Sequence, residues 1–362
     1  MIRPKDRVAR LSRQTDIGSG RNARFLLDKN ERTEPFCNSI HEELLASINS
    51  SDLNKYPDQS TLYRILSEFL DIKIPHLLLV SGADSGLKLF YETFLEPGDE
   101  LVAINPTYAM IPVYAEMFGV RLVTVGYNEV LNLDIDLLVE SITSTTRIVI
   151  LPNPNQPTGT LISPNDLDRI IKRVILTDTL LILDEAYHDF SDAKSSIDIA
   201  HESEHVCVLR TFSKAWGLAG VRLGYIVGHP QILTQLRKLK SLLDINVLAI
   251  KAATFLIEHY EVVDRYVKEI KKSRSFVEAE LSTHAIEYFT SSANFIHIKM
   301  PAHVNIEQVS TELAQHEFLV RTAGGTATVL DGCIRITIGT REQMALFIEH
   351  LLSILSKDSC QL

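Results

Sequence analysis

An α/β fold, in which a large domain carries a mostly parallel seven-stranded sheet sandwiched by helices and a smaller α+β domain follows, is predicted by three observations. Seven short apolar runs rich in leucine and β-branched residues recur between residues 76 and 227. Amphipathic stretches of helical spacing separate them, the alternating rhythm of a sheet covered on both faces. After residue 229 that rhythm gives way to long charged helix and then to runs of period two.

The elements follow in chain order. Residues 1–35 are predicted to form an N-terminal arm that joins the small domain; their first stretch is basic, lacks an apolar core and is interrupted by Asp6 and Asp16. Residues 36–240 form the large domain, with strands expected over 76–82, 100–105, 120–126, 147–153, 179–186, 205–211 and 222–227. A helix over 84–95 is read from the spacing of Leu87, Phe90, Tyr91 and Phe94, and Pro97-Gly98 stops it. Another over 164–176 opens on Ser163-Pro164, a capping residue followed by a first-turn proline. A long helical region, 230–282 with a break near Asn246, leads into the small domain, 241–362. There 294–299 and 333–338 read as strands and 306–317 and 341–356 as helices.

Composition narrows the function. The 362 residues are 45% hydrophobic and 23% charged with a net charge of −10, which argues against nucleic-acid and anionic-membrane partners. Cys37, Cys207, Cys333 and Cys360 show no paired spacing, as expected of thiols in a reducing cytoplasm, and no stretch is long enough to span a bilayer. His188 has no second histidine at ligand spacing, so no metal is expected; Arg237, Lys238 and Lys240 read as a solvated helix face.

The chemistry concentrates in two segments. Lys214 follows a strand among small residues and hydroxyls, where desolvation favours the neutral amine that attacks an aldehyde. Thr211, Ser213 and Arg222 around it suit a phosphate dianion. Upstream, a buried strand ends in Asp184-Glu185-Ala186-Tyr187, which places Asp184 at the carboxyl edge of the sheet, where ligands of such folds bind. A buried carboxylate calls for a cationic partner, and a protonated pyridine nitrogen is one.

Together these segments resemble the fold-type I enzymes that use pyridoxal 5′-phosphate, and among them class I/II aminotransferases of the histidinol-phosphate aminotransferase type, from about Asn30 to Arg341. The resemblance implies that Lys214 is the Schiff-base lysine, Arg222 a phosphate ligand, Asp184 the partner of the ring nitrogen and Tyr187 a hydrogen-bond partner of the ring hydroxyl. It also implies phosphate contacts from the backbone of Ala83 and Asp84 at a helix start and a ring stacked on Tyr108. Tyr56, in Asn54-Lys55-Tyr56-Pro57-Asp58, would reach the phosphate of a neighbouring subunit, which implies a homodimer with shared active sites. Arg335 would receive the substrate carboxylate, and Asn30 lies in the loop that covers it.

Two departures from the family pattern stand out. The family has asparagine before the proline of N-N-P-T-G, whereas this chain has Gln156, so the ring hydroxyl is left to Gln156, Asn155 or Asn153. Arg32 replaces a neutral residue in the N-terminal loop, Lys29-Asn30-Glu31-Arg32-Thr33-Glu34-Pro35, which leaves the substrate open. The expected reaction is ping-pong transfer of an amino group between glutamate/2-oxoglutarate and a small, phosphorylated ketone or aldehyde. A phospho-amino-acid decarboxylase, an aminotransferase acting on a surface-polysaccharide precursor and a catalytically silent regulator are the alternatives.

Overall fold

The computed structural model describes residues 2–11, 21, 23–322 and 329–359; Asp16 and Cys360 lie outside them. Its strands are β1 (Phe25–Leu26), β2 (Leu77–Val80), β3 (Glu100–Asn105), β4 (Arg121–Gly126), β5 (Thr146–Pro152), β6 (Leu180–Asp184), β7 (Val206–Thr211), β8 (Gly224–Gly228), β9 (Tyr288–Phe289), β10 (Phe295–Lys299), β11 (Phe318–Leu319), β12 (Arg321–Thr322) and β13 (Cys333–Thr337). The seven expected runs form one seven-stranded sheet in the order β2-β8-β7-β6-β5-β3-β4.

The connections explain its directions. Helices Met110–Phe118, Ile135–Ser141, Pro164–Leu176 and Ile197–Ala200 intervene in turn between β3, β4, β5, β6 and β7, and these strands pair in parallel. Between β7 and β8 there is only a loop with a short 3-10 turn, too little for a parallel crossover, and β8 runs antiparallel to both β7 and β2. Alternate residues feed two cores: Val149, Leu181, Leu183 and Val208 pack on one face, and Ile148, Ile150, Ile182 and Leu209 on the other. Apolar demand on both faces is why the runs lack polar alternation.

The helix Pro164–Leu176 starts as read: the Ser163 hydroxyl accepts from the Asp166 N–H at 3.2 Å and proline occupies the first turn. The region expected as helix over 230–282 is instead three helices, Pro230–Leu239, Val247–Glu258 and Tyr260–Thr283. Asn246 caps the second, accepting from Ala249 N–H at 2.8 Å, whereas His259 interrupts the pattern with ψ 45° and no side-chain cap, so apolar spacing runs across that second break unchanged.

Beyond these helices, β12-β13-β10-β9 form an antiparallel four-stranded sheet. β1 pairs in parallel with β11, tying residues 25–26 to residues 318–319. The two-residue strands were not foreseen, since two residues cannot display a period of two. Among the described residues, no helix is long and apolar enough to cross a membrane.

Candidate active site

Parallel strands bring their carboxyl ends to one edge, and Pro152 of β5 lies in register with Asp184 of β6. Asp184 is 7% exposed, and its Oδ1 accepts from the Ala186 N–H at 3.1 Å. Burial pushes its carboxyl up to about 6, with Lys214 the cation that opposes the shift. A buried acid with so little compensation suits a cationic ligand.

Lys214 stands in the turn after β7. Its Nζ donates to the Lys29 carbonyl at 2.9 Å and lies 5.4 Å from the centre of the Tyr187 ring, whose hydroxyl accepts from Asn30 Nδ2 at 3.1 Å. The next residues fold back so that Arg222 reaches Ser213 Oγ at 3.4 Å, and Thr211 Oγ1 donates to that oxygen at 3.0 Å. Two glycines allow close approach here, Gly82 to the guanidinium and Gly224 to the backbone at the start of the helix Ala83–Phe94. A Cβ on Gly82, which has φ 83°, would lie 2.7 Å from Arg222 Nη2, and one on Gly224 would lie 2.8 Å from the Ala83 nitrogen. First-turn N–H groups have no partner within their helix, so a guanidinium, two hydroxyls and a helix N-terminus form an anion seat.

These groups share a cavity of about 280 Å³, lined by Ala83, Asp84, Tyr108, Gln156, Asp184, Tyr187, Thr211, Ser213, Lys214 and Arg222. The Tyr108 hydroxyl donates to Asp84 at 3.3 Å, and the Tyr114 hydroxyl donates to the same carboxylate at 3.0 Å. Burial, reinforced by Asp84, raises the Tyr108 phenol above its usual range. The cavity therefore has an acid at one place, an anion seat at another and an amine among them. A flat ligand with a basic ring nitrogen, an electrophile and a phosphate matches that donor set.

The remaining predicted residues lie elsewhere. Asn155 is 1% exposed and behind the wall, its Nδ2 donating to the Pro106 carbonyl at 3.0 Å and to Thr158 Oγ1 at 2.7 Å, while Gln156 Oε1 has no hydrogen-bond partner. Asn153 accepts from the Ile162 N–H at 2.9 Å. Arg335 lines a second cavity, of about 500 Å³, with Arg321, His297 and Gln156, so Gln156 is a wall common to both. Nη2 of Arg335 donates to the Asp28 carbonyl at 2.6 Å, and burial lowers its guanidinium. Tyr56 is 83% exposed and lines neither cavity.

Other contributors were not legible in the sequence. Lys29 and Glu31 also line the first cavity. Beneath it, Arg210 Nε donates to Glu185 Oε2 at 3.0 Å, and Ser195 and the Ser196 N–H also donate to that carboxylate. Burial alone would raise Glu185, but Arg210 and these donors hold it below its ordinary value. The second acid of the D-E pair is thus spent on holding the loop. His188 lies 4.0 Å from Glu185, and burial lowers its imidazole.

Residues 26–351 match the model of the family aminotransferase class I and II. A histidinol-phosphate aminotransferase of Cytophaga hutchinsonii is 30% identical over 321 residues, 87% of this chain and 90% of that protein. Among solved structures, a histidinol-phosphate aminotransferase from Sinorhizobium meliloti in complex with pyridoxal 5′-phosphate aligns with TM-score 0.86 at 22% identity, over 99% of this chain and 98% of that one. An L-threonine-O-3-phosphate decarboxylase from Porphyromonas gingivalis aligns with TM-score 0.79 at 21% identity, over 92% of this chain and 99% of that one, so the fold alone does not separate the two reactions.

Proposed function

This chain belongs to the class I and II aminotransferases, and from that premise we propose that its first cavity holds pyridoxal 5′-phosphate. It would transfer an amino group between glutamate/2-oxoglutarate and a small phosphorylated ketone or aldehyde of the histidinol-phosphate kind. The observation that carries the reading is the convergence of Asp184, Lys214 and Arg222 on one cavity, where the acid is buried without adequate compensation.

When bound, the cofactor supplies an aldehyde that captures amines and a cationic ring that accepts electron density. The chain's own groups do the rest. Asp184 keeps the proton on the ring nitrogen, which in turn supplies the cation that the buried carboxylate lacks. Lys214 Nζ is the amine that would hold the cofactor's aldehyde, and as a free amine it would carry a proton to and from the substrate α-carbon. The Tyr187 hydroxyl accepts from Asn30, which turns its own proton toward the ring hydroxyl; Gln156, whose Oε1 is unpartnered, stands on the same wall and is assigned the contact that the family gives to asparagine. Arg222, Ser213, Thr211 and the N–H groups of Ala83 and Asp84 would hold the phosphate, and the Tyr108 ring would pack against the cofactor. Arg335, with Arg321 beside it in the second cavity, receives the anionic end of the substrate. Donor and acceptor use one site in turn, so ping-pong kinetics are expected.

Subunit organisation belongs to the same proposal. Leu45, Leu53, Tyr56, Leu239 and Leu242 are exposed at 53%, 66%, 83%, 54% and 84%. Helix Val247–Glu258 packs on Asn38–Ala46 and Ser60–Phe69, and Lys251 pairs with Asp52 at 3.3 Å, so much of this apolar surface gathers around one helix. A homodimer would cover it and offer Tyr56 to the partner's phosphate. The proposed division into residues 1–35, 36–240 and 241–362 is supported by the seven-stranded sheet falling before residue 240, the four-stranded sheet after residue 241 and the pairing of β1 with β11, and buried free Cys207 and Cys333 suit the cytoplasm.

The test is spectroscopic. Purified protein should carry the visible absorbance of a lysine-bound pyridoxal cofactor, Lys214→Ala should abolish that band, and glutamate should bleach it reversibly with release of 2-oxoglutarate. A colourless protein that gains no band on addition of the cofactor would overturn the assignment. Carbon dioxide released in step with substrate use, without amino transfer, would decide for a decarboxylase.

A further inference from the structure

We propose that His297 is a positioning residue that holds the Asn155–Pro157 turn, the wall between the two cavities, at a fixed distance from Arg335. The inference deepens the aminotransferase reading and rests on it. His297 lies at the centre of β10, with Arg335 directly opposite on β13, and Arg321 is opposite Arg335 on β12. Directly opposed residues share a face of a sheet, so one rank of side chains, Arg321, Arg335 and His297, faces the second cavity, and all three line it.

The imidazole departs from what strand packing alone would select. His297 is 2% exposed, a place that leucine would fill without desolvating a polar ring, and its Nδ1 has no hydrogen-bond partner. Its Nε2 does have one: the Pro157 carbonyl, at 2.8 Å and 140 residues away in the chain. A carbonyl can only accept, so Nε2 carries the proton and donates. Burial, with the charge of Arg335, lowers this imidazole to about 3, so the ring is neutral and adds no third cation beside the two guanidiniums.

The bond spans the two sheets at a useful place. Pro157 follows Gln156, which lines both cavities, while the large-sheet side of the turn is fastened by Asn155 to the Pro106 carbonyl and to Thr158. From the other side, His297 and the Ser292 N–H, which donates to the Gly159 carbonyl at 2.8 Å, fasten the turn to the segment that leads into β10. Gln156 is therefore set between the cofactor cavity and the substrate arginine by a donor on the strand opposite that arginine. Losing the donor lets the turn relax, which loosens the fit of a carboxylate on Arg335 before it alters the chemistry at Lys214.

The test uses the full-length protein with three substitutions that differ in where they can place a donor. The terminal nitrogen of glutamine reaches the place of Nε2, that of asparagine the place of Nδ1, and leucine has neither. We expect His297→Leu and His297→Asn to raise KM for glutamate about fivefold to tenfold, as the loss of one buried hydrogen bond would, with kcat within about twofold, and His297→Gln to recover most of that loss. The affinity for succinate, a dicarboxylate that cannot turn over, should follow the same order when measured by calorimetry on cofactor-loaded protein. If all three variants bind succinate as the parent does, or if glutamine is as impaired as leucine while melting temperatures stay matched, the positioning role is overturned. Failure of the parent enzyme to transfer an amino group from any donor, with the succinate order intact, would overturn the aminotransferase reading and leave the His297 link supported.

Discussion

The floor of the first cavity and the wall of the second are built differently. The floor comes from strand ends of one parallel sheet, and its chemical groups arrive in contiguous segments, Asp184 to Tyr187 and Thr211 to Arg222. The wall of the second is assembled across the chain: Arg335 reaches Asp28, 307 residues away, and His297 reaches Pro157. The floor also holds its charge with partial compensation, at Asp184, which has the Ala186 N–H and the Lys214 cation against burial, whereas beneath it Glu185 and Arg210 compensate each other. Strain of one kind serves ligand binding and satisfaction of the other kind serves stability, so substitutions should separate the two.

The largest effect is expected at Lys214. Its replacement by alanine removes both the covalent anchor and the proton carrier, and amino transfer should fall by at least about 10⁴-fold with little change in melting temperature of the cofactor-free protein. A loss confined to tenfold would mean that another group moves the proton. Next is the compensated pair. Arg210→Leu leaves Glu185 buried without its cation, and a loss of about 3–5 kcal/mol of folding stability should appear in chemical denaturation. The contrast breaks if that variant unfolds at the parent's denaturant midpoint.

Asp184→Asn should act in opposite directions on two states. The Asp184 carboxyl sits at about 6 in the folded protein against 3.8 for an ordinary aspartate. Between those values the folded state holds a proton that the unfolded state has lost. Stability of the cofactor-free protein therefore falls as pH rises through this window, and the penalty is complete above about pH 6. The difference between these two values corresponds to roughly 3 kcal/mol. Asparagine keeps the oxygen that accepts from Ala186 and carries no charge. The cofactor-free variant should melt higher than the parent at pH 7.5 and no higher at pH 4, while its affinity for pyridoxal 5′-phosphate drops. A variant less stable than the parent at pH 7.5 would show that the acid is compensated in some other way.

The same contrast explains what could be read from the chain. The strand runs were legible because both faces of the sheet demand apolar residues, and Asp184 and Lys214 were legible because a parallel sheet sends strand ends to one edge. The task of Glu185 was not legible, since its partner Arg210 stands 25 residues further along the chain and no local pattern marks the pair. The break at His259 was hidden because apolar spacing continues across it. His297 and Lys29 contribute through partners 140 and 185 residues away, and no local pattern marks such pairings.

The smallest effect tests the loop that joins the two regions. Arg32 has its guanidinium carbon 4.1 Å from the centre of the Tyr266 ring and 4.6 Å from that of Phe36, while its Nε donates to the Glu34 carbonyl at 2.9 Å. Burial lowers its guanidinium, with Tyr266 and Glu34 acting against that shift. Its Cδ lies so close to Gly217, in the turn after Lys214, that a Cβ there would stand 2.6 Å away. The planar cation between two rings therefore clamps the segment whose preceding residues touch Lys214, Tyr187 and Arg335. Lysine keeps the charge and loses the planar stack, and leucine loses both. With a cation on a ring contributing about 0.5–2 kcal/mol, Arg32→Leu should raise KM by about threefold to tenfold, and Arg32→Lys should fall between it and the parent. If lysine matched arginine, charge alone would fix the loop; if leucine matched it, the loop would be held by Asn30 and Asp28, and the clamp would belong to stability rather than to the site.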